Sequence, residues 1–159
     1  MLELLSPAGN LESVKIAINN GADAVYLGAK AFNARKNAEN LDDNELKDAC
    51  SYAHMFGKKV YLTVNTILQN DDFSALYELM LSAIDAKVDA FIIQDLGVLE
   101  FIKSNFSGLE LHASTQMAIH NLEGACIAKQ LGCSRIVLSR ETPLYEIRRI
   151  SENGEIELE

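Results

Sequence analysis

The sequence predicts an α/β protein with an incomplete (β/α) barrel of the TIM type, made of about six βα units and the start of a seventh strand. Short apolar runs alternate with amphipathic helical patterns along the chain, as in a parallel sheet with helical crossovers. Two strands carry one polar face, whereas the central strands of a doubly wound sheet are apolar on both. The 159 residues fall short of the roughly 250 of a whole barrel. An open doubly wound parallel sheet remains the alternative fold.

Strand segments recur at regular intervals. The apolar runs lie at residues 2–6, 22–28, 60–65, 89–94, 109–116, 135–139 and 156–158. Three segments share a helix end, a tight turn and a β-rich run, at residues 21–28, 88–94 and 132–139. Because no Pro/Ser-rich linker interrupts this pattern, residues 1–159 are expected to form a single domain.

Capping residues indicate where the intervening helices begin. Asn10 precedes an apolar stripe and can cap the first helix. Asp42 and Glu45 have the spacing of a capping box before the second helix. Thr142 is expected to cap the last helix, with Pro143 at the first helical position, where a missing N–H costs nothing.

Side-chain alternation predicts the polar faces of two strands. On the third strand one face carries Tyr61, Thr63 and Asn65, and on the fifth strand one face carries Glu110, His112, Ser114 and Gln116. A barrel strand packs one face against helices and turns the other into the lumen, which can be polar near the catalytic mouth. We therefore expect these polar faces to point into the lumen.

The composition limits the classes of function. A net charge of -9 repels phosphate backbones, so binding of nucleic acid by overall charge is disfavoured, although a local basic pocket remains compatible with RNA. No run approaches the roughly 18 apolar residues of a membrane span. The amino terminus has no basic region followed by an apolar run, so a cytoplasmic location is expected. The three cysteines, Cys50, Cys126 and Cys133, are too few and too scattered for a disulfide framework and are expected to be structural thiols.

The candidate site lies where the strands end, because barrel enzymes place their chemistry at the carboxyl ends of the strands. Those ends carry Ser6, Gly28, Asn65, Gln94, Asp95, Ser114, Thr115, Gln116, Ser139, Arg140 and Glu141. This set suits a small polar anion, since Arg140 offers a planar fork for a carboxylate. His112 could act there as an acid or a base. Two alternatives stay open: strand ends are polar wherever loops begin, and a lone histidine on a strand is often a hydrogen-bonded core residue.

Several blocks in a fixed order resemble the family called peptidase U32. They lie at residues 3–10 (ELLSPAGN), 21–28 (GADAVYLG), 32–35 (FNAR), 59–65 (KVYLTVN), 94–97 (QDLG), 112–117 (HASTQM) and 139–141 (SRE). The resemblance covers nearly the whole chain and implies the N-terminal part of a barrel-like catalytic domain. Members carry the name of proteases, some of them collagenase-like. Other relatives take part in oxygen-independent hydroxylation of tRNA uridine, with prephenate as the hydroxyl source, of rRNA cytidine, or of quinone precursors.

The resemblance also bears on cofactors. Its quinone-pathway relatives hold an iron–sulfur cluster through cysteines, but Cys50, Cys126 and Cys133 do not match those ligands. No cofactor is therefore expected in this chain, and a cluster only in a longer family member. A prephenate-like co-substrate agrees with the anionic ligand expected at the mouth.

The candidate site residues lie at the strand ends, on the polar strand faces and in the sequence blocks shared with the family. The candidate catalytic residues are His112, Asn65, Gln116 and Glu141, and the candidate ligand-binding residues are Arg140, Ser114, Gln94, Arg35 and Tyr26. No metal site is predicted, because no His/Glu pair has a metalloprotease spacing.

Three functional hypotheses follow. The first is an RNA-modifying enzyme that supports hydroxylation of tRNA or rRNA pyrimidines, and the second is a metal-dependent, collagenase-like peptidase. The third is a non-catalytic fragment that pairs its open strand edges with another copy of itself. The expected partners are accordingly a small anion at the mouth, RNA for the full-length protein, no membrane, and a second copy of the chain.

Overall fold

A computed structural model describes residues 2–29, 31–34 and 41–159. Within these residues the strands are β1 (Leu5–Pro7), β2 (Ala24–Gly28), β3 (Lys59–Val64), β4 (Ala90–Ile93), β5 (Leu111–Ala113), β6 (Arg135–Ile136) and β7 (Glu157–Leu158). The helices are α1 (Leu11–Asn19), α2 (Asp43–Met55), α3 (Phe73–Asp85), α4 (Leu96–Asn105), α5 (Leu122–Gln130) and α6 (Leu144–Asn153). No helix of this part of the chain is long and apolar enough to cross a membrane.

The strand order decides between the two predicted architectures. Neighbours in the sheet follow the sequence order from β1 to β7, and β2, for example, runs parallel to both β1 and β3. A doubly wound sheet reverses its strand order at a switch point, whereas a (β/α) barrel does not. The barrel-type prediction is therefore confirmed, and the doubly wound alternative is wrong. Strands β1 and β7 stand at the two ends of the order, and pairing of two copies through these edges stays a prediction.

The contacts divide the chain into two compact units, Met1–Phe91 and Ile92–Glu159, with the boundary inside β4. In the first unit, α1 buries Val14 and Ile18, and α2 buries a longer stripe of Leu46, Ala49, Cys50 and Ala53. In the second unit, α4 buries Val98, Leu99 and Ile102, and α6 buries Ile150. The single domain expected over residues 1–159 stays a prediction.

The polar face predicted for β3 is present and is satisfied within the first unit. Tyr61 is fully buried, and its hydroxyl donates to Oε1 of Glu3 at 2.8 Å. Thr63 is buried as well, and its Oγ1 donates to the carbonyl of Leu27 at 3.1 Å. Since buried polar groups are costly without partners, these bonds explain how polar side chains are tolerated inside the strand.

Two of the predicted helix caps are confirmed. The side chain of Asn10 accepts the N–H of Ser13 at 2.9 Å, and a capping box is complete at the start of α1. Asp42 Oδ1 accepts the N–H groups of Asn44 and Glu45 at 3.0 and 2.9 Å. Both motifs depend only on neighbouring residues, which is why the sequence is sufficient to predict them.

The predicted cap of the last helix is wrong. The cap residue of α6 is Pro143, whose carbonyl accepts the N–H groups of Glu146 and Ile147. The N–H of Thr142 instead donates to the carbonyl of Ser139 at 3.1 Å, which closes a turn before the helix. Pro143 has φ −74° and ψ 153°, which is extended backbone, so the helix begins one residue later than predicted and Thr142 belongs to the preceding turn.

Strand β5 is shorter than predicted. It ends at Ala113, and Thr115–Met117 form a 3-10 turn. The Oγ of Ser114 accepts the N–H of Gln116 at 3.2 Å and so starts this turn. The backbone N–H of Gln116 therefore bonds to a side chain and not to a neighbouring strand. Gln116 therefore does not continue the strand face of His112, contrary to the alternation expected over residues 109–116.

Asp23 provides a pH-dependent link in the first unit. Its Oδ1 accepts a bond from Lys58 Nζ at 2.7 Å, and its Oδ2 accepts the N–H of Leu4 at 3.0 Å. These bonds, first that of Lys58, hold the pKa of Asp23 below its ordinary value. Since the folded pKa is the lower one, the stabilisation is present above the unfolded pKa and is lost as the pH falls through the folded one.

Below about pH 4, where an unfolded aspartate takes up its proton, we expect the free energy of unfolding of Asp23→Asn to fall less steeply with pH than that of the wild type. Urea unfolding at a series of pH values measures this effect. Asp48→Asn, an exposed substitution on α2, is the matched control. If the stability of Asp23→Asn falls as steeply at acid pH as that of the wild type, Asp23 is not the source of this pH dependence.

Candidate functional site

In the second unit, the carboxyl ends of β4 and β5 lie side by side. The N–H of Ser114 donates to the carbonyl of Ile93 at 2.8 Å, so the end of β5 is fixed beside the end of β4, where Gln94 follows. Ser114 is buried, Gln94 is half-buried and Gln116 is exposed. The serine thus holds the loop after β5, which carries Gln116, beside the loop after β4, which carries Gln94.

The loop after β6 is tied to the loop after β5. Thr115 Oγ1 donates to the carbonyl of Leu138 at 3.1 Å, and the N–H of Ser139 donates to the carbonyl of Ile119 at 3.1 Å. These bonds bring the ends of β4, β5 and β6 onto adjoining loops. The predicted site residues that these loops carry are Gln94, Ser114, Gln116, Arg140 and Glu141.

Arg140 and Glu141 occupy the two central positions of the turn that the Ser139–Thr142 bond closes. Both side chains are exposed. Within the described residues, no carboxylate lies at ion-pair distance from the Arg140 guanidinium. A guanidinium without a counter-charge, held on a closed turn at the carboxyl end of a strand, is suited to bind a carboxylate or a phosphate through paired hydrogen bonds.

His112 lies deeper, inside the sheet. It is fully buried, and its Nε2 is 3.0 Å from Oε1 of Glu110, a residue on the amino-terminal side of β5. In register it pairs with Arg135, whose Nε and Nη2 donate to Oε2 of Glu157 at 3.0 and 2.7 Å. A polar face therefore continues across β5, β6 and β7, and the Nε2 contact is directed away from the loops at the carboxyl ends. The catalytic role of His112 stays a prediction.

The first unit holds two of the other predicted residues. Asn65 directly follows β3, and its Oδ1 accepts the N–H of Ala34 at 3.0 Å, which ties the segment after β2 to the end of β3. Tyr26 is a half-buried residue of β2, in register with Tyr61 of β3. Arg35 lies outside the described residues.

Asn33 is a structural residue of this region that the sequence analysis did not select. It is 4% exposed, its Nδ2 donates to the carbonyl of Ala29 at 2.5 Å, and its side chain lies against Gly28. A Cβ atom on Gly28 would be 2.6 Å from Asn33 Cγ, so glycine is needed at the end of β2 for the asparagine to fit. The only signal in the sequence is a strand-ending glycine followed by an asparagine in the next loop.

A groove of about 800 Å³ in the first unit lies apart from the predicted residues. Residues of α2, of α3 and of the segment after β2 line it, and Lys47 and Asp85 form an ion pair of 2.6 Å at its wall. Its rim also carries Asp42, Asp43 and Glu78. An acidic rim repels anions, so this groove does not match the ligand that the strand ends select.

The three cysteines are separate thiols, of which Cys50 and Cys133 are buried and Cys126 is half-buried. Burial raises the pKa of the Cys50 thiol to about 12 and that of Cys133 to about 11. In the part of the chain that the structure describes, no three His, Cys, Asp or Glu side chains are grouped to hold a metal ion. The expectation that these thiols are structural stays a prediction.

The burial of the thiols predicts a selective pattern of alkylation. With iodoacetamide at about pH 8, we expect the half-buried Cys126 to react in the folded chain while Cys50 and Cys133 stay unmodified. Unfolding in urea should expose all three, and peptide mapping by mass spectrometry distinguishes them. Cys126→Ser is the control, since it should remove the modification of the folded chain. Fast modification of Cys50 before unfolding would contradict the prediction.

Sequential parallel strands with polar loops at their carboxyl ends define a (β/α)-barrel protein with a candidate ligand site at the end where barrel enzymes bind their substrates. The chain belongs to peptidase family U32, whose family model matches residues 9–159. The resemblance found from the sequence blocks is thereby confirmed.

Two curated relatives are similar to almost the entire chain. The tRNA hydroxylation protein P1 of Bacillus subtilis is 37% identical over 99% of this chain and 37% of its own length. The 23S rRNA 5-hydroxycytidine C2501 synthase of Escherichia coli is 41% identical over 99% of this chain and 24% of its own length. The chain thus spans only 24–37% of the length of these relatives.

A solved structure shares the fold. The U32 peptidase Mk0906 superimposes with a TM-score of 0.75 at 18% identity, covering 99% of this chain and 67% of that structure. At this identity the likeness shows the fold alone. Together with the strand order, it establishes the barrel type of α/β fold.

Proposed function

We propose that the protein containing this chain supports the oxygen-independent hydroxylation of pyrimidines in tRNA or rRNA. The observation that carries this proposal is the identity of 37 and 41%, over 99% of the chain, to relatives named for tRNA hydroxylation and for 5-hydroxycytidine synthesis. Substrates of this kind would place the protein in the cytoplasm.

The site supports the proposal through its charge and its amides. Arg140 binds a small anionic co-substrate, of which a prephenate-like dicarboxylate is the candidate, by paired charge-assisted hydrogen bonds. Gln94 orients that ligand, and the buried Ser114 acts on ligand binding by holding the adjoining loop through the N–H of Gln116. Gln116 and Glu141 offer an exposed amide and carboxylate to the reacting groups.

The remaining predicted residues complete the assignment. In the first unit, Asn65 contributes an amide at the end of β3, and Tyr26 and Arg35 are assigned to ligand binding. His112 is assigned to proton transfer, which requires that its contact with Glu110 leave the imidazole able to exchange a proton.

The peptidase hypothesis is supported by names alone: that of the family, and those of relatives called an uncharacterized protease (43% identical) and a collagenase (32% identical). A metal-dependent peptidase holds its ion through three protein ligands. Digestion of gelatin by the full-length protein, lost on addition of a chelator, would support it. The hypothesis of a non-catalytic, self-associating fragment predicts that no RNA modification depends on the gene.

Nucleoside mass spectrometry of tRNA and rRNA from a deletion strain tests the proposed function. We expect a hydroxylated pyrimidine to disappear on deletion and to return when the wild-type gene is restored. A strain that carries the gene with Glu152→Gln, an exposed substitution on α6 distant from the strand ends in sequence, is the control for expression. An unchanged set of hydroxylated pyrimidines in both RNA classes would overturn the proposal.

A further inference from the structure

The first two turns of α6 expose a group of side chains that the proposed function does not use. Leu144 is 83% exposed and Tyr145 is 72% exposed, so a large aliphatic and an aromatic side chain lie next to each other on this helix. Arg148 lies one turn further along and is exposed as well. Residues three and four apart share a helix face, so Leu144, Tyr145 and Arg148 form one surface, the α6 face.

The charge of this region differs from that of the chain. Residues 140–149 carry three arginines against two glutamates, within a chain of net charge -9. Arg149 is 3.7 Å from both Glu123 and Glu146. Among the described residues, however, no carboxylate is at ion-pair distance from Arg148 or from Arg140. Two guanidinium groups are thus available to an external anion, one on the α6 face and one on the turn just before it.

We propose that the α6 face is a docking surface for single-stranded RNA, which it delivers to the strand ends beside Arg140. This inference rests on the proposed function and names the surface through which the RNA is held. An exposed tyrosine provides a ring on which an unpaired base stacks, and an arginine three residues away reaches the adjoining phosphate. The face begins four residues after Arg140, so a bound strand lies next to the candidate site.

Charge complementarity favours RNA over a protein partner or a second copy of the chain. Apolar contact alone would cover Leu144 and Tyr145, but it would leave the guanidinium of Arg148 desolvated without a counter-charge. A second copy carries a net charge of -9, and like charges repel unless a specific acidic patch meets the arginines. A phosphodiester backbone with unpaired bases satisfies the ring and the guanidinium groups together.

Fluorescence anisotropy of a labelled, unstructured oligoribonucleotide titrated with the whole chain tests the proposal. Tyr145→Ala is expected to weaken binding about tenfold through the loss of stacking, and Tyr145→Phe to restore it, since the ring suffices. Arg148→Gln is expected to weaken binding and to lower the slope of log affinity against log salt by about 0.7, the value for one phosphate contact on a single strand.

The matched control is Lys87→Gln, which removes one positive charge from an exposed position of the first unit. A loss of affinity in this control equal to that in Arg148→Gln would reduce the effect to net charge and overturn the docking surface. So would unchanged binding in Tyr145→Ala and Arg148→Gln, or no RNA binding by the wild-type chain. Light scattering that shows dimers of the wild type and monomers of Tyr145→Ala would assign the face to a second copy instead.

The RNA measurement is independent of the test of the proposed function. Suppose that hydroxylated pyrimidines require the gene, but that Tyr145→Ala changes neither their formation in the cell nor the affinity for RNA. The proposed function then stands and the docking surface fails. If deletion of the gene leaves every hydroxylated pyrimidine in place, the proposed function fails, and the anisotropy result alone decides whether the α6 face binds RNA.

Discussion

Replacing Arg140 with alanine is expected to lower the formation of hydroxylated pyrimidine by about 10²-fold when the anionic co-substrate is limiting. A hydrogen bond to a charged group contributes roughly 1.5–3 kcal/mol, which corresponds to a factor of about 10 to 10² in binding. A paired arrangement lies at the upper end of that range. The fold should be unaffected, because Arg140 is exposed on a turn that a backbone bond closes.

Two further variants separate anion binding from general charge. Arg140→Lys keeps the charge but loses the planar fork, so it should recover only part of the activity. Arg149→Ala, which removes an exposed guanidinium already beside two glutamates, should retain activity. Kinetics in which Arg140→Ala raises KM for the co-substrate more than it lowers kcat would identify ligand binding as the role. Wild-type activity in Arg140→Ala would remove this residue from the site.

Local signals account for the parts of the fold that the sequence predicts. Asn10 and Asp42 cap helices through bonds to residues at most three positions away, so the sequence contains the whole motif. Thr142 does not cap α6 because Pro143 is itself extended and takes the cap position, so the helix begins one residue later than the sequence predicts. Strand β5 ends earlier than the alternation predicts because the Ser114 side chain bonds the backbone of the following turn.

The features of the site that the sequence does not predict depend on contacts made in the folded chain. The general rule for barrel strand ends is sufficient to select Gln94, Ser114 and Arg140. It cannot show that Asn33 fills the space that Gly28 leaves, because that contact depends on how the loop folds back. The contact of His112 with Glu110 follows from a two-residue strand spacing, but its pairing with Arg135 requires the sheet register.

Leu62→Ala is expected to lower the free energy of unfolding by about 2–5 kcal/mol, a large fraction of the 5–15 kcal/mol that stabilises a typical domain. Leu62 is fully buried in β3 and lies in register with Leu27 of β2, so its removal leaves a cavity that packed neighbours cannot fill. On the opposite face, Thr63 makes one side-chain bond to the Leu27 carbonyl. Thr63→Ala should therefore cost only about 1 kcal/mol.

Chemical unfolding of these variants tests the alternation from which the barrel was predicted. Leu81→Ala is the matched control, because this leucine of α3 is 43% exposed and should change stability by less than about 0.5 kcal/mol. If the slope of the free energy of unfolding against denaturant concentration is the same in the variants and the wild type, the variants differ in stability alone. Equal losses for Leu62→Ala and Thr63→Ala would contradict the assignment of one apolar face and one polar face to β3. The expected difference between these adjacent residues is about 1–4 kcal/mol, because Leu62→Ala leaves a cavity on the apolar face whereas Thr63→Ala removes one hydrogen bond on the polar face.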